Sequence, residues 1–184
     1  ADISADELLQ KYVTVIAMGS EGKQLKKKLK KIKSYKEELE MSMSQMPQPM
    51  KLTNVWISPS TEGSKMEMMG MVAQKSYFDG TTGSSTSMQE GKKELTAEEI
   101  AAKKKSSGLI PEMNYSTNGM NYELLGIEER DGKMVYVLKV NDGENESYHY
   151  FDKETYQKVA STTIITQGEE SQELTYTYGN FKEY

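Results

Sequence analysis

Most of this chain is written in short runs of strand period divided by turn residues at close intervals, and that combination leaves few folds open. Met134, Tyr136, Leu138 and Val140 give the clearest run. Apolar side chains at every second position put one apolar face on a strand. Asp131-Gly132 precedes the run and Asp142-Gly143 follows it, both pairs suited to tight hairpins. Strands are expected over 120–129, 133–140, 147–152, 158–167 and 173–178, with a further turn at Gly168. Linkers this short join antiparallel neighbours.

The N-terminal half carries the same period in unusual residues: nine of the thirteen methionines fall between residues 41 and 88. Tyr35, Leu39, Met41 and Met43 share one strand face, and Pro47 and Pro49 turn the chain because they cannot sit in a central ladder. Over 51–57, Leu52 and Trp56 face one way and Val55 and Ile57 the other, so a helix is expected over the second side. A loop follows over 59–64. Met66 and Met68 then stand on one parity, Met69 and Met71 on the other, which reads as a bulge near Met68-Met69-Gly70 or a strand covered on both faces. Tyr77-Phe78-Asp79-Gly80 closes in a tight turn, and the polar stretch 81–95 reads as a weak edge hairpin. A thioether side chain is unbranched and polarizable, so a face lined with it either fills an ordinary core or forms a soft wall for a lipid-like or peptide ligand.

Two helices announce themselves by capping boxes. Ser4 with Glu7 opens one whose apolar face is Leu8, Leu9, Tyr12, Val13, Ile16 and Ala17, with Gly19 as its stop. Thr96 with Glu99 opens another that runs to about Lys105 and ends by Gly108. Between them in sequence lies KQLKKKLKKIK over 23–33, expected as a short helix with Leu25, Leu29 and Ile32 on one stripe and seven lysines around it. Such a run is a solvated face around a docking stripe, or a contact for anionic headgroups or an acidic partner through Lys26, Lys27, Lys30 and Lys31. The sum is an α+β protein: one curved antiparallel sheet of eight or nine strands with about three helices, in a single domain over 1–184.

Chemistry is bounded more by exclusion. No cysteine is present, so disulfides, thiol catalysis and cysteine–zinc sites are excluded together. His149 is the only histidine, flanked by Tyr148 and Tyr150, and is read as a sheet-face residue without partners for metal or acid–base work. No nucleophile elbow, zincin helix or phosphate loop occurs, and the acidic pairs Glu128-Glu129 and Glu169-Glu170 are sequential. No catalytic residue, metal or cofactor is expected. A net charge of −5 and a pI near 5.1 argue against nucleic acid as a partner. No run approaches the roughly 18 apolar residues of a membrane span, so at most peripheral membrane contact is expected.

ADELLQKYVTVIAMG followed by LKKIKSYKEELEMSM resembles the opening of LolA-like lipoprotein-carrier modules of secreted Bacteroidetes-type proteins. SKMEMMGMVAQKSYFDG, YELLGIEERDGKMVYVLKV and YHYFDKETYQKV resemble their later strands and turns. The resemblance implies an incomplete antiparallel β-barrel, LolA/LolB-like, with helices lidding its concave apolar face. It implies a non-enzymatic binding protein of the periplasm or cell envelope, secreted with its signal sequence outside this chain. Such a protein holds a lipid or lipoprotein acyl chain in an apolar cavity. The residues expected to line that cavity are Leu39, Met41, Met43, Trp56, Met66 and Met68. Related modules are also joined to insulinase-class zinc peptidases, so the alternative is a sealed-core interaction module with a protein partner. Three departures stand out. Arg130, the only arginine, sits beside a hairpin turn rather than at a lid latch. Tyr156 follows Asp152-Lys-Glu-Thr155 where the family has glycine. The chain stops at Phe181-Lys-Glu-Tyr184 where the family continues, so the expectation is either a sheet that ends early at an exposed edge or a chain truncated before the family's last C-terminal strands.

Overall fold

The computed structural model describes residues 2–178 apart from 18, 20, 44–47, 142–144 and 168–169. The turns expected at Pro47, Asp142-Gly143 and Gly168, the C-terminal stop, and the side chain of Met43 lie outside the described residues.

Both capping boxes form. Ser4 Oγ accepts from the Glu7 amide at 3.2 Å while Glu7 accepts from the Ser4 amide at 2.8 Å, opening α1 (Ala5–Ile16). Thr96 and Glu99 do the same for α3 (Ala97–Ser106). α2 is shorter than its pattern suggested, Gly22–Leu29, and buries no side chain. Beyond Leu29 the backbone tightens: Lys31 bonds back to Lys28 and Ile32 to Leu29, three residues away rather than four. Ile32 therefore leaves the α-helical stripe. A 3₁₀ turn that the sequence reading did not foresee, Pro111–Asn114, follows α3.

The strands number eleven. They are β1 (Ser34–Met43), β2 (Met50–Ile57), β3 (Thr61–Met68), β4 (Met71–Phe78), β5 (Gly83–Ser87) and β6 (Gly91–Glu94), then β7 (Asn121–Arg130), β8 (Lys133–Asn141), β9 (Glu146–Asp152), β10 (Lys158–Gln167) and β11 (Glu170–Thr177). All pairs are antiparallel, in the order β6-β5-β4-β3-β2-β1-β11-β10-β9-β8-β7. The sheet is curved and does not close.

Three expectations need correction. The parity change at Met68–Met71 is a two-residue hairpin with a register slip beside it, not one continuous strand: Met69 and Gly70 both take positive φ, 51° and 79°, which splits one expected strand into two, and the pairing slips between Met66 and Glu67. The loop expected over 59–64 is confined to 58–60, a turn that contains the cis Ser58–Pro59 bond. The last described strand is no edge, because Leu174–Thr177 of β11 pair with β1 and the whole of β11 pairs with β10. The edges are β6 and β7.

Register assigns the faces. Tyr35, Leu39 and Met41 of β1 share a face with Trp56, Leu52 and Met50 of β2, with Phe78 of β4, and across β11 and β10 with His149 and Phe151 of β9 and Tyr136 and Leu138 of β8. The helices cover this face. Leu8 and Leu9 of α1 pack into one core with Tyr136, Leu138, Val140 and Phe151, and the Tyr122 hydroxyl donates to Asp6 at 2.6 Å. Glu62 of β3 accepts from the Gly108 amide at 2.8 Å and pairs with Lys103, tying down the end of α3. On the opposite face of β8, Val135 and Val137 are buried as well. Arg130 on β7 reaches the Tyr150 ring on β9 at 4.2 Å, and so roofs the valines of the strand between them.

Met69 costs stability where it stands, since a side chain at positive φ crowds the backbone and its own is 72% exposed, with little packing in return. Met69→Asn should raise the denaturation midpoint by an amount equivalent to about 0.5–1 kcal/mol. A urea titration showing an unchanged or lowered midpoint would count against this turn assignment.

Candidate functional site

Between the helices and the covered face lies a cleft of about 900 Å³. Apolar side chains crowd its rim, with Lys28 and Lys31 beside them: Val15 and Ile16 from α1, Leu29 at the end of α2, Ile32 from the turn after it, and Leu109 and Ile110 from the loop after α3. Ile16 and Ile32 are 39% and 38% exposed, high for side chains of this size. Tyr35 and Glu37 of β1 form one wall.

The floor is polar. Lys158 Nζ sits 2.6 Å from Glu112 Oε1, and their side chains are only 14% and 5% exposed. Tyr12 and Tyr178 present their rings to the same ammonium at 5.7 and 5.0 Å. His149 and Tyr115 complete the floor, 6.4 Å apart ring to ring. Local backbone irregularities put the pair there. Lys158 and Ser161 are three apart, which on a regular strand points them to opposite faces. The register between β9 and β10 slips between Lys158 and Ala160, so Lys158 lies opposite Phe151 while Ser161 lies opposite His149, and both face inward. Glu112 comes from the 3₁₀ turn, 46 residues away in sequence.

Burial pushes the Glu112 carboxyl upward, but Lys158 and its hydrogen bond outweigh that and hold it below the ordinary carboxylate range. Burial pulls the Lys158 ammonium down, and Glu112, with the surrounding tyrosines, more than restores it, so Lys158 stays charged. Burial, then the Lys158 charge, lowers His149 to about 3. Its Nδ1 is shielded from solvent with no hydrogen-bond partner among the described residues. Burial also raises the phenols of Tyr12 and Tyr115, and takes Tyr35 to about 12. At neutral pH the floor is thus one locked ion pair among neutral rings. Among the described residues, no three His, Asp or Glu side chains gather as metal ligands.

Leu39, Met41 and Trp56 are buried on the cleft face of the sheet, and Met66 and Met68 of β3 are half-buried in the same period. None of the five lines the cleft, although Tyr35, which does, stacks on Trp56 at 6.4 Å. Lys26, Lys27, Lys30 and Lys31 are exposed, and Lys31 borders the rim with Lys28. Sequence reasoning missed Glu112 and Lys158, which carry no motif and meet only through the bulge and the 3₁₀ turn.

No protein-family model and no curated protein matches the chain. Solved structures of similar course include a domain assigned to outer membrane lipoprotein-sorting proteins from Vibrio parahaemolyticus, at 13% identity and TM-score 0.46 over 96% of this chain and 80% of that one. A LolA superfamily protein from Nitrosomonas europaea gives 9% and 0.42 over 98% and 96%. The lipoprotein LppX of Mycobacterium tuberculosis gives 12% and 0.41 over 95% of each. The likeness is a loose one of chain course, with every TM-score below 0.5. Ligand and partner do not follow from it.

The buried pair sets a sharp mutational asymmetry. Glu112→Gln or Lys158→Met alone should cost about 3–5 kcal/mol, because each leaves a buried charge unmatched. The double variant should recover much of that loss, which a double-mutant cycle in urea would measure; additive losses would refute coupling. The histidine sets a pH dependence. Below about 6.5 the unfolded imidazole takes up a proton that the folded ring refuses until about pH 3, so stability falls as pH drops across that window. Thermal melts of His149→Gln should lose most of the slope between about pH 6.5 and 5, where carboxylates are still ionised in either state.

Proposed function

We propose that this protein is a non-enzymatic binding protein of the cell envelope that holds a lipid or lipoprotein acyl chain in the cleft between its helices and its sheet. The cleft itself carries the reading: about 900 Å³, with a cluster of aliphatic side chains at the rim and a few fixed polar groups beneath. That volume lies within the roughly 300–1,000 Å³ of small-molecule sites. Each methylene buried there contributes about 0.8 kcal/mol, so a chain binds through length more than through any one contact. Leu39, Met41 and Trp56 form the bed behind Tyr35, and Met66 and Met68 extend it along the sheet. Met43 lies on the same strand period.

The floor supports binding over catalysis. A histidine lowered to about 3 is too weak a base to take up a proton at neutral pH, and Lys158, held charged by Glu112, is no nucleophile. A buried ion pair instead gives a ligand's polar end a fixed electrostatic boundary.

Delipidated protein should take up a fluorescent long-chain fatty acid with saturable affinity. Leu109→Trp, which fills the rim, should weaken uptake at least ~10-fold, by loss of about 1.4 kcal/mol or more of apolar contact. Absence of saturable uptake by the unaltered protein would refute the proposal.

A further inference from the structure

We propose that α2 and the turn after it form a docking surface for an anionic lipid bilayer, placing the mouth of the cleft against the membrane. Seven lysines stand between residues 23 and 33, and no acidic residue occurs from Gly22 to Lys36, in a chain of net charge −5. None of the seven makes an ion pair among the described residues, whereas lysines on the strands and on α3 find carboxylates. Charge left unpaired on one element of an acidic protein is a surface for an anionic partner.

The apolar residues decide which anionic partner. Ile16 and Ile32, each more than a third exposed, stand at the cleft mouth beside Lys28 and Lys31. Basic side chains around exposed aliphatic ones match a headgroup layer with acyl chains just below it. An acidic protein surface has no such apolar stratum. α2 is also loosely seated. It buries no side chain, and its stripe borders two openings, Leu29 on the large cleft and Leu25 on a smaller one of about 260 Å³. Lys28 Nζ donates to the Ala17 carbonyl at 3.4 Å, holding the basic element against the end of α1. The docking surface and the cleft entrance are therefore one place. Docking does not depend on what the cleft holds; transfer of a lipid through that entrance rests on the function proposed above.

Vesicle flotation tests this, with bilayers of phosphatidylcholine and phosphatidylglycerol in equal parts against phosphatidylcholine alone. The unaltered protein should float with the mixed vesicles at low salt, not with the neutral ones, and be released by ~0.5 M NaCl. Replacing Lys23, Lys26, Lys27 and Lys30 by glutamine, none of which lines the large cleft, should reduce association at least ~10-fold. Replacing Lys92 and Lys93 on β6 should change nothing. Equal flotation of the quadruple variant, or no flotation of the unaltered protein, would overturn the proposal. So would binding to polyglutamate with indifference to vesicles, which would assign the surface to a protein. Fatty-acid uptake from vesicle-free solution, run on the same variants, separates the two claims. The quadruple variant should bind the fatty acid normally, which also shows that it is folded. Loss of uptake by the unaltered protein would remove the cleft reading and leave the docking result standing.

Discussion

The structure turns on a mismatch between what must be covered and what covers it. Eleven strands at about 4.8 Å spacing make a sheet about 48 Å wide along its curve. Against it stand helices of 12, 8 and 10 residues, about 18, 12 and 15 Å long at 1.5 Å per residue. They cannot seal that face. α1 commits its apolar stripe to β8 and β9, and α3 is held at β3 by Glu62. The span between these anchors is left to α2 and two loops, and there the cleft opens. Curvature shelters part of the remainder, which is how Leu39, Met41 and Trp56 are buried without lining the cleft.

A cleft left by such a shortfall would ordinarily be apolar throughout. Here its depth holds a cation and a carboxylate that neutralise each other, ringed by tyrosines. The ammonium gains from the faces of Tyr12 and Tyr178 as well as from Glu112, and these together offset the loss of hydration. The same low-dielectric setting keeps His149 neutral. The outer face of the sheet solves its own problem differently, with Arg130 and Tyr150 shielding the small side chains of β8. The sole arginine is thus a roof for the sheet and takes no part in the cleft.

What could be read from the sequence was local. Ser4 with Glu7 and Thr96 with Glu99 fix helix starts within four residues, and the alternation from Met134 to Val140 fixes a strand without reference to the rest. The failures have a common cause. Met69 enters positive φ against its own preference because the two flanking strands pair, a demand made by the register and invisible in the residue. Tyr156 does likewise at φ 58°, where its ring stacks on Tyr136 and takes Lys11 over its face, so packing replaces the freedom of the expected glycine. Glu112 and Lys158 are ordinary residues until 46 positions of chain are folded between them. The methionine period correctly marked a covered face; it carried no information about where the cover would stop.

The slip in register between Lys158 and Ala160 makes the polarity of the cleft a property of strand pairing. Val159 is the surplus position: it lets Lys158 face inward opposite Phe151 while Ser161, three residues on, faces inward opposite His149. Deleting Val159 would leave Lys158 and Ser161 two apart and both still inward, so the charge would stay where it is. Closing the bulge without losing a residue, by sliding the start of β10 one position along β9, would instead swing the ammonium to the outer surface and leave Glu112 facing an uncharged chamber. The same set of residues can thus wall a charged chamber or a neutral one, and the choice is made by hydrogen-bond register rather than by side-chain identity.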